Sequence, residues 1–337
     1  WGSASVTTKD TFLQIIGVAL RSTGGPGGTW EHIDANGNTI TTPSTAWFDL
    51  HPVFGGMEDV TVDGQYMVRV PKCYYKHGTA GGDPAFWISD QPADGFAVFP
   101  AFQLDATEVD FFEYGKYQAS VSGGKMQSVP GVMPAVETTL IDFQTQAAAR
   151  NVGGVEGFRL HHYDMRLVLQ WLYLVELATM DSQTATGEGR VNASSAANVD
   201  AAAVAEATYR GIVGLWGNVW QWMDGVRTLN DVIERRSYTG SWTATGEALP
   251  NDGGAQYPIT FRTGVDDQFI ASTFSSANDA TATLPDNRRW RNGGEYYPFV
   301  GGSWSSAASA GLWYISCSHA ASNSSSNIGA RLARVVS

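Results

Sequence analysis

Two cysteines and six histidines supply the side chains of this 337-residue chain that most often bind metals or attack substrates, and their spacing decides what they could do. Cys73 and Cys317 stand far apart in unlike surroundings, so neither a Cys-x-x-Cys metal site nor a disulfide framework is written here. A single bridge between them stays open. His161 and His162 are adjacent, His51 precedes Pro52, and His32, His77 and His319 are isolated. None has the i, i+4 spacing that turns two imidazoles toward zinc from one helix face, and no triad signature is present. Core or loop roles are expected for them, with His319 kept as a contact residue. Asp266, Asp267, Asp279, Asp286 and Asn287 could offer calcium hard oxygen ligands, but EF-hand spacing is missing. The expectation is therefore no metal and no cofactor, with calcium as the secondary reading. Arg288, Arg289 and Arg291 surround Trp290, an arrangement that more often stacks as a structural corner than clamps phosphate.

A different chemistry, contact rather than reaction, is offered by the stretch from Gly301 to Ser326. Ser305, Ser306, Ala308, Ser309, Ser316, Cys317, Ser318, His319, Asn323 and Ser325 are all residue types reachable from an AAC or AAT codon by changing its first two adenines. Any small polar loop could hold the same set. Trp313 and Tyr314 stand among them as flat faces on which a ligand could stack. What distinguishes the stretch is its frame, Gly301-Gly302-Ser303-Trp304 before it and Asn327-Ile328-Gly329-Ala330-Arg331-Leu332 after it. Upstream lies the densest aromatic run of the chain, Gly214-Leu215-Trp216-Gly217-Asn218-Val219-Trp220-Gln221-Trp222. A surface that tolerates many substitutions cannot also build the core, so Trp304, Leu312, Ile315, Ile328 and Leu332 are the expected anchors.

The elements that must hold this segment read as an α+β fold. With 38 Gly, 12 Trp and only 16% charged residues, the composition favours short strands, tight turns and aromatic-filled cores. Length favours two units: a small β-rich domain over residues 1–95, and a second domain over 96–337 with two helices and short antiparallel strands. Residues 11–20 place Phe12, Ile15, Ile16 and Ala19 at helical spacing, which predicts a short first helix. Residues 66–71 alternate as a strand, and a further strand is expected near 107–117. Helices are expected over 141–150 and 162–180, followed by a long surface loop over the Ala/Ser/Asn run 192–203. A formal net charge of −12 argues against nucleic acid, whose binding needs clustered cations. No apolar run is long enough for a membrane span, and no signal-peptide pattern opens the sequence.

Gly-Asn-Val-Trp-Gln-Trp at 217–222, Gly-Gly-Ser-Trp at 301–304 and Gly-Ala-Arg-Leu at 329–332 together resemble the formylglycine-generating-enzyme branch of the C-type lectin fold, over roughly residues 96–337. Within that branch the tail resembles the variable proteins of diversity-generating retroelements, in which error-prone reverse transcription rewrites adenine-rich codons. The resemblance implies a binding protein rather than an enzyme, with a variable region at about 303–327 and a scaffold of Trp216, Asn218, Trp220, Trp222, Gly301, Gly302, Trp304, Gly329 and Arg331. It also implies a phage tail-fibre tip or adhesin that recognises a host-surface protein or other macromolecule, assembled as a homotrimer on the virion. Residues 1–95 would attach it to the particle. Two alternatives stay in view. The related oxidases hold copper with a nearby pair of cysteines, whereas Cys317 stands alone. A lectin would bind sugar, although no Glu-Pro-Asn or Gln-Pro-Asp motif occurs.

Overall fold

Alternation and β-branching, rather than helical spacing, decide the start of the described chain. Ile15–Ser22 is a strand, paired antiparallel on one side with Thr29–Ile33 and on the other with Asp83–Ser89. The expected helix over 11–20 is thus corrected: Ile15, Ile16 and Val18 are β-formers, and pairing on both edges outweighs the weak period they share with Phe12. Gly17 is needed there, because a Cβ would sit 2.5 Å from the Trp87 ring. The computed structural model describes residues 14–23, 25–249, 255–261, 271–275 and 285–337. Asp266, Asp267 and Asp279 lie outside the described residues.

This first sheet continues through Tyr74–Ala80 to Ala97–Val98. A second sheet runs Phe158–Leu160, Leu332–Arg334, Phe111–Gly115, Gln65–Pro71, Glu58–Val62, antiparallel throughout. It crosses the boundary expected at 95/96. Phe111–Gly115 pairs with Gln65–Pro71 from the N-terminal part and with Leu332–Arg334 from the C-terminal end, and one buried cluster holds Ile16, Phe86, Trp171, Trp313 and Val335 together. The strands before and after residue 95 therefore share a core instead of forming two.

Five helices occur among the described residues: α1 (Thr45–Leu50), α2 (Leu140–Ala148), α3 (Tyr163–Leu177), α4 (Ser182–Ala185) and α5 (Ala202–Ala205). The two expected from periodicity are α2 and α3, each shorter than its pattern. Thr139 caps α2 by accepting the Asp142 N–H, and the His162 ring caps α3 by accepting the Asp164 N–H. α3 is buried on nearly all sides: Trp171 meets Phe86 and Phe99 edge-on at centroid separations of 5.0 and 5.6 Å. It is the post around which the sheets are hung.

The largest sheet has ten strands. Its main path runs Thr243–Ala248, Val232–Arg235, Val226–Leu229, Glu295–Val300, Ile315–His319, Arg288–Trp290, Ala255–Phe261, Ala271–Ser275. Off that path, Trp220–Trp222 pairs antiparallel with Glu295–Val300 and parallel with Ile328–Ala330.

Arg331 locks these pieces together. Its guanidinium is fully buried and donates to the carbonyls of Gly115 (2.8 Å), Lys116 (3.1 Å), Val213 (2.8 Å) and Gly214 (2.5 Å), and to Gln221 Oε1 (2.7 Å). Burial pulls its pKa down to about 10, so it stays charged at neutral pH. Among the described residues no carboxylate accepts from it; the positive charge is met by four backbone carbonyls and the Gln221 side-chain amide. A lysine keeps the charge but lacks the planar fork that reaches five acceptors. Arg331→Lys is expected to lower unfolding free energy by about 3 kcal/mol or more, read from the denaturation midpoint. A loss under about 1 kcal/mol would show that the fork is dispensable.

Two buried imidazoles give the fold an acid limit. His161 Nε2 lies 2.8 Å from the Trp222 carbonyl, which can only accept, so Nε2 carries the proton and Nδ1 accepts from the Tyr114 hydroxyl at 2.6 Å. Burial holds its pKa well below 6.5, and burial lowers that of His51 to about 4. Both are depressed in the folded state, so their stabilisation is intact above pH 6.5 and is lost as pH falls below it. The Asp286 carboxyl, pushed well up by burial, works in the opposite direction. The clean measurement is therefore a difference. Against wild type, His51→Gln is expected to reduce the fall in unfolding free energy between pH 7 and pH 5 by about 2 kcal/mol.

Candidate functional site

The scaffold expected from sequence forms the floor and hinges of one surface. Trp216 is buried, and its indole N–H donates to the Glu188 carbonyl at 3.1 Å. Asn218 adopts a left-handed backbone, φ 61°, which asparagine tolerates better than most residues. Its side-chain amide donates to Gln118 Oε1 (2.8 Å) and the Ala197 carbonyl (3.1 Å), while its oxygen accepts the Ala197 N–H (2.8 Å). The backbone carbonyl of Asn218 accepts the N–H of Trp304 at 3.0 Å. Trp220 stacks on Phe299 at 4.8 Å, and Trp222 meets the same ring edge-on at 5.5 Å.

Glycine at three of these positions is a steric requirement. Gly302 has φ 80°, and a Cβ there would lie 2.5 Å from that of Ala310; at Gly301, φ 88°, it would lie 2.9 Å from the Leu215 carbonyl. At Gly329 it would come within 2.8 Å of the Ala135 carbonyl. The backbone at both ends of the variable-type segment is thereby pinned against the Trp216–Trp222 stretch.

Between the hinges the chain first makes a tight polar turn. The Ser303 N–H donates to Ser306 Oγ at 2.9 Å, and Ala307–Ser309 form a single turn of 3-10 helix. Ser305 and Ala308 are exposed, and Ser306 and Ser309 are half-buried. Ser305, Ser306 and Ser309 form one wall of an open depression of about 330 Å³ that also takes in Trp220, Tyr257, Asn287 and Tyr314. From Tyr314 a hydrogen-bonded chain leads along the next strand. The Tyr314 ring stacks with Trp220 at 6.3 Å and its phenol faces Ser316, Ser316 Oγ lies 2.9 Å from Ser318 Oγ, and that hydroxyl lies 3.0 Å from His319 Nδ1. Burial pushes the phenol up to about 12 and lowers the His319 imidazole below its usual value. Asn323 and Ser325 are half-buried in the following turn, which is tied to the start of α2: the Glu137 N–H donates to the Ser325 carbonyl and the Leu140 N–H to that of Ala321.

Several positions expected at the surface are interior. Ile315–His319 lies between Glu295–Val300 and Arg288–Trp290, so both of its edges are paired and both faces are covered. Cys317 is fully buried, packed with Met223, Val226, Trp290 and Val300, and burial pushes its thiol up to about 12. Ser316 and Ser318 are 2% and 3% exposed and satisfy one another. Trp313 is fully buried in the central cluster, against Tyr173 at 5.6 Å. It is a core residue and cannot stack on a ligand. The structure thus brings Ser305, Ser306, Ser309 and Tyr314 together, extends them through Ser316, Ser318 and His319, and takes Trp313 and Cys317 away.

Tyr257 and Asn287 were not expected here. Asn287 was visible only as part of a calcium-type pair, and nothing around Tyr257 marked it. The Asp286 carboxylate accepts the Trp313 N–H at 2.7 Å, and among the described residues no three His, Cys, Asp or Glu side chains converge as a metal site. Cys73 and Cys317 are both free thiols. No helix among the described residues is long and apolar enough to cross a membrane.

No protein-family model matches the sequence, and no curated protein does. Among solved structures the chain is similar to Treponema denticola variable protein 1, at 13% identity and TM-score 0.37, over 82% of this chain and 98% of that one. It is also similar to the Major Tropism Determinant variants P3c and I1, at 12% and 13% identity and TM-scores of 0.32 and 0.33, over 94% of this chain and 83% of each of those. The overlays score low, so the functional reading stands on the geometry of this chain.

The geometry divides the segment into replaceable and irreplaceable positions. Ser305→Tyr, Ala308→Asn and Ser309→Asn are each expected to change unfolding free energy by less than about 0.5 kcal/mol. Trp313→Ala is expected to cost about 3–5 kcal/mol, and Cys317→Tyr to be destabilising by overpacking. Denaturation midpoints check all five; equal effects at Ser305 and Trp313 would remove the distinction.

Proposed function

We propose that this chain is a non-enzymatic binding protein that presents a rewritable patch, centred on Ser305, Ser306, Ala308, Ser309 and Tyr314 and extended through His319, on a scaffold of the C-type-lectin type. One observation carries the reading. Short, chemically undemanding side chains cluster around an open depression, while the backbone beneath them is held by groups that cannot be exchanged: the Asn218 amide, Gly301, Gly302, Gly329 and the Arg331 guanidinium. Binding residues mounted on a rigid platform can change without unfolding it. The finer reading is a retroelement-diversified receptor-binding protein on a virion, recognising a macromolecule displayed on a host surface, with copies of the chain assembled as a homotrimer. Several weakly binding copies on one particle would add through effective concentration.

A carbohydrate ligand is the second reading, favoured by the depression itself. Trp220, Tyr257 and Tyr314 line it beside serine hydroxyls and the Asn287 amide, and among the described residues no charged side chain joins them. The oxidase alternative has little support, since Cys317 lies inside the sheet with its hydrogen donated to the Tyr296 carbonyl at 3.2 Å.

The test is a library randomised at Ser305, Ser306, Ala308, Ser309, His319, Asn323 and Ser325 and sorted separately for folding and for binding. Most members are expected to fold with melting temperatures near that of the parent, and selection on different host surfaces is expected to recover different sequences. A library that mostly fails to fold would overturn the proposal. A DNA repeat matching the codons for residues 303–327, with adenines at the differing positions and beside a reverse-transcriptase gene, would establish the retroelement part separately.

A further inference from the structure

Behind the strand that carries the patch lies a small, partly enclosed cavity of about 30 Å³. Its wall is unusual in sign: it includes the guanidinium-bearing side chains of Arg166, Arg235 and Arg288 and the indole of Trp290, and no Asp or Glu among the described residues. Arg166 is 2% exposed, with its terminal nitrogens donating to the carbonyls of Leu312 (2.7 Å) and Leu215 (3.3 Å). Its guanidinium also lies beside the Tyr114 hydroxyl, while its Nε donates to no partner, and neither does the Nε1 of Trp290, which is 4% exposed. Both orphans are donors. A partly enclosed space walled by residues with unsatisfied donors and by three guanidinium-bearing side chains is completed by an acceptor that carries negative charge.

Nearby carboxylates do not fill that role. Asp164 is committed to Arg235 and to the His162 ring from outside the cavity wall. Asp286 accepts the Trp313 N–H, and burial pushes its carboxyl toward the neutral form. The volume then limits the candidate. A water needs about 10–15 Å³ of such space, so about 30 Å³ admits one monatomic ion or a pair of waters. Phosphate, sulfate and organic carboxylates are too large.

We infer that this cavity is a binding site for a single halide-sized anion, chloride in a biological medium, held by Arg166 and the Trp290 indole N–H with Arg288 and Arg235 supplying charge. Tyr314 lines both this cavity and the surface depression, so the ion supports the floor of the binding patch from behind. Its occupancy stabilises the folded state in proportion to the logarithm of halide concentration over the dissociation constant. The inference does not depend on what the patch binds.

The test uses the full chain at fixed ionic strength, with sodium chloride or bromide exchanged against sodium gluconate. Melting temperature is expected to rise by several degrees and to saturate with halide, and not to respond to gluconate. Trp290→Phe keeps the ring's bulk and removes one donor, and is expected to weaken the apparent halide affinity at least tenfold. Arg166→Met is expected to abolish the response where it folds. Because that variant removes two carbonyl contacts as well, the deciding measurement is on the wild type: crystals soaked in bromide are expected to show an anomalous peak in the cavity. Two waters there with no anomalous signal, or a melting temperature that is the same in gluconate and bromide, would overturn the inference.

Discussion

A buried cation with no carboxylate partner among the described residues is the constraint on which this fold turns. Removing a guanidinium from water is costly unless its donors are met, and Arg331 meets that cost by drawing together chain segments that are remote in sequence. The carbonyls of Gly115 and Lys116 come from the second sheet, those of Val213 and Gly214 from the turn before the tryptophan-rich run, and the Gln221 amide from the strand that pairs with both hinges. The requirement is geometric as well as electrostatic, since five acceptors have to arrive in the plane of one fork. Once they do, the places where the variable-type segment leaves and rejoins the scaffold are fixed without help from any of its own side chains.

The same logic explains the neighbouring asparagine and glutamines. Asn218, Gln118 and Gln221 are all buried, and each completes backbone groups that strands leave unpaired. A surface of the proposed kind would need this support, because backbone carbonyls and amides are present whatever side chain a codon specifies. Apolar packing contributes through Trp216, Trp222 and Trp313, which are at 0% exposure, and again none of the polar turn residues takes part.

How much of this could be read in advance differs by element. α2 and α3 were legible because helical period and capping residues agree locally. The first strand was not, since Ile15, Ile16 and Ala19 satisfy helix and strand periods alike and only pairing with Asp83–Ser89 separates them. The hinge motifs were legible as motifs, and steric crowding at Gly302 and Gly329 supplies their physical reason. The exposure of individual positions between them was not. Ser316, Cys317 and Ser318 look like loop residues by composition, and their burial follows from two strand neighbours contributed by residues 288–290 and 295–300. Tyr257 reached the site through the same long-range pairing, by way of Ala255–Phe261. At residue 95 composition changes, but strand pairing and the central cluster run across it.

The short strand Trp220–Trp222 receives the end of Glu295–Val300 on one side and Ile328–Ala330 on the other. Entry and exit of the whole excursion are therefore clamped side by side, and the distance between them does not depend on how many residues travel out and back. Closing a longer loop costs only about 0.6 kcal/mol for each doubling of its length. On the proposed reading the two clamps would therefore hold through insertions in the turns around Ala308 and Asn323, at the cost of the backbone hydrogen bonds from Ala307 to Val191 and from Glu137 to Ser325 that now tie those turns down.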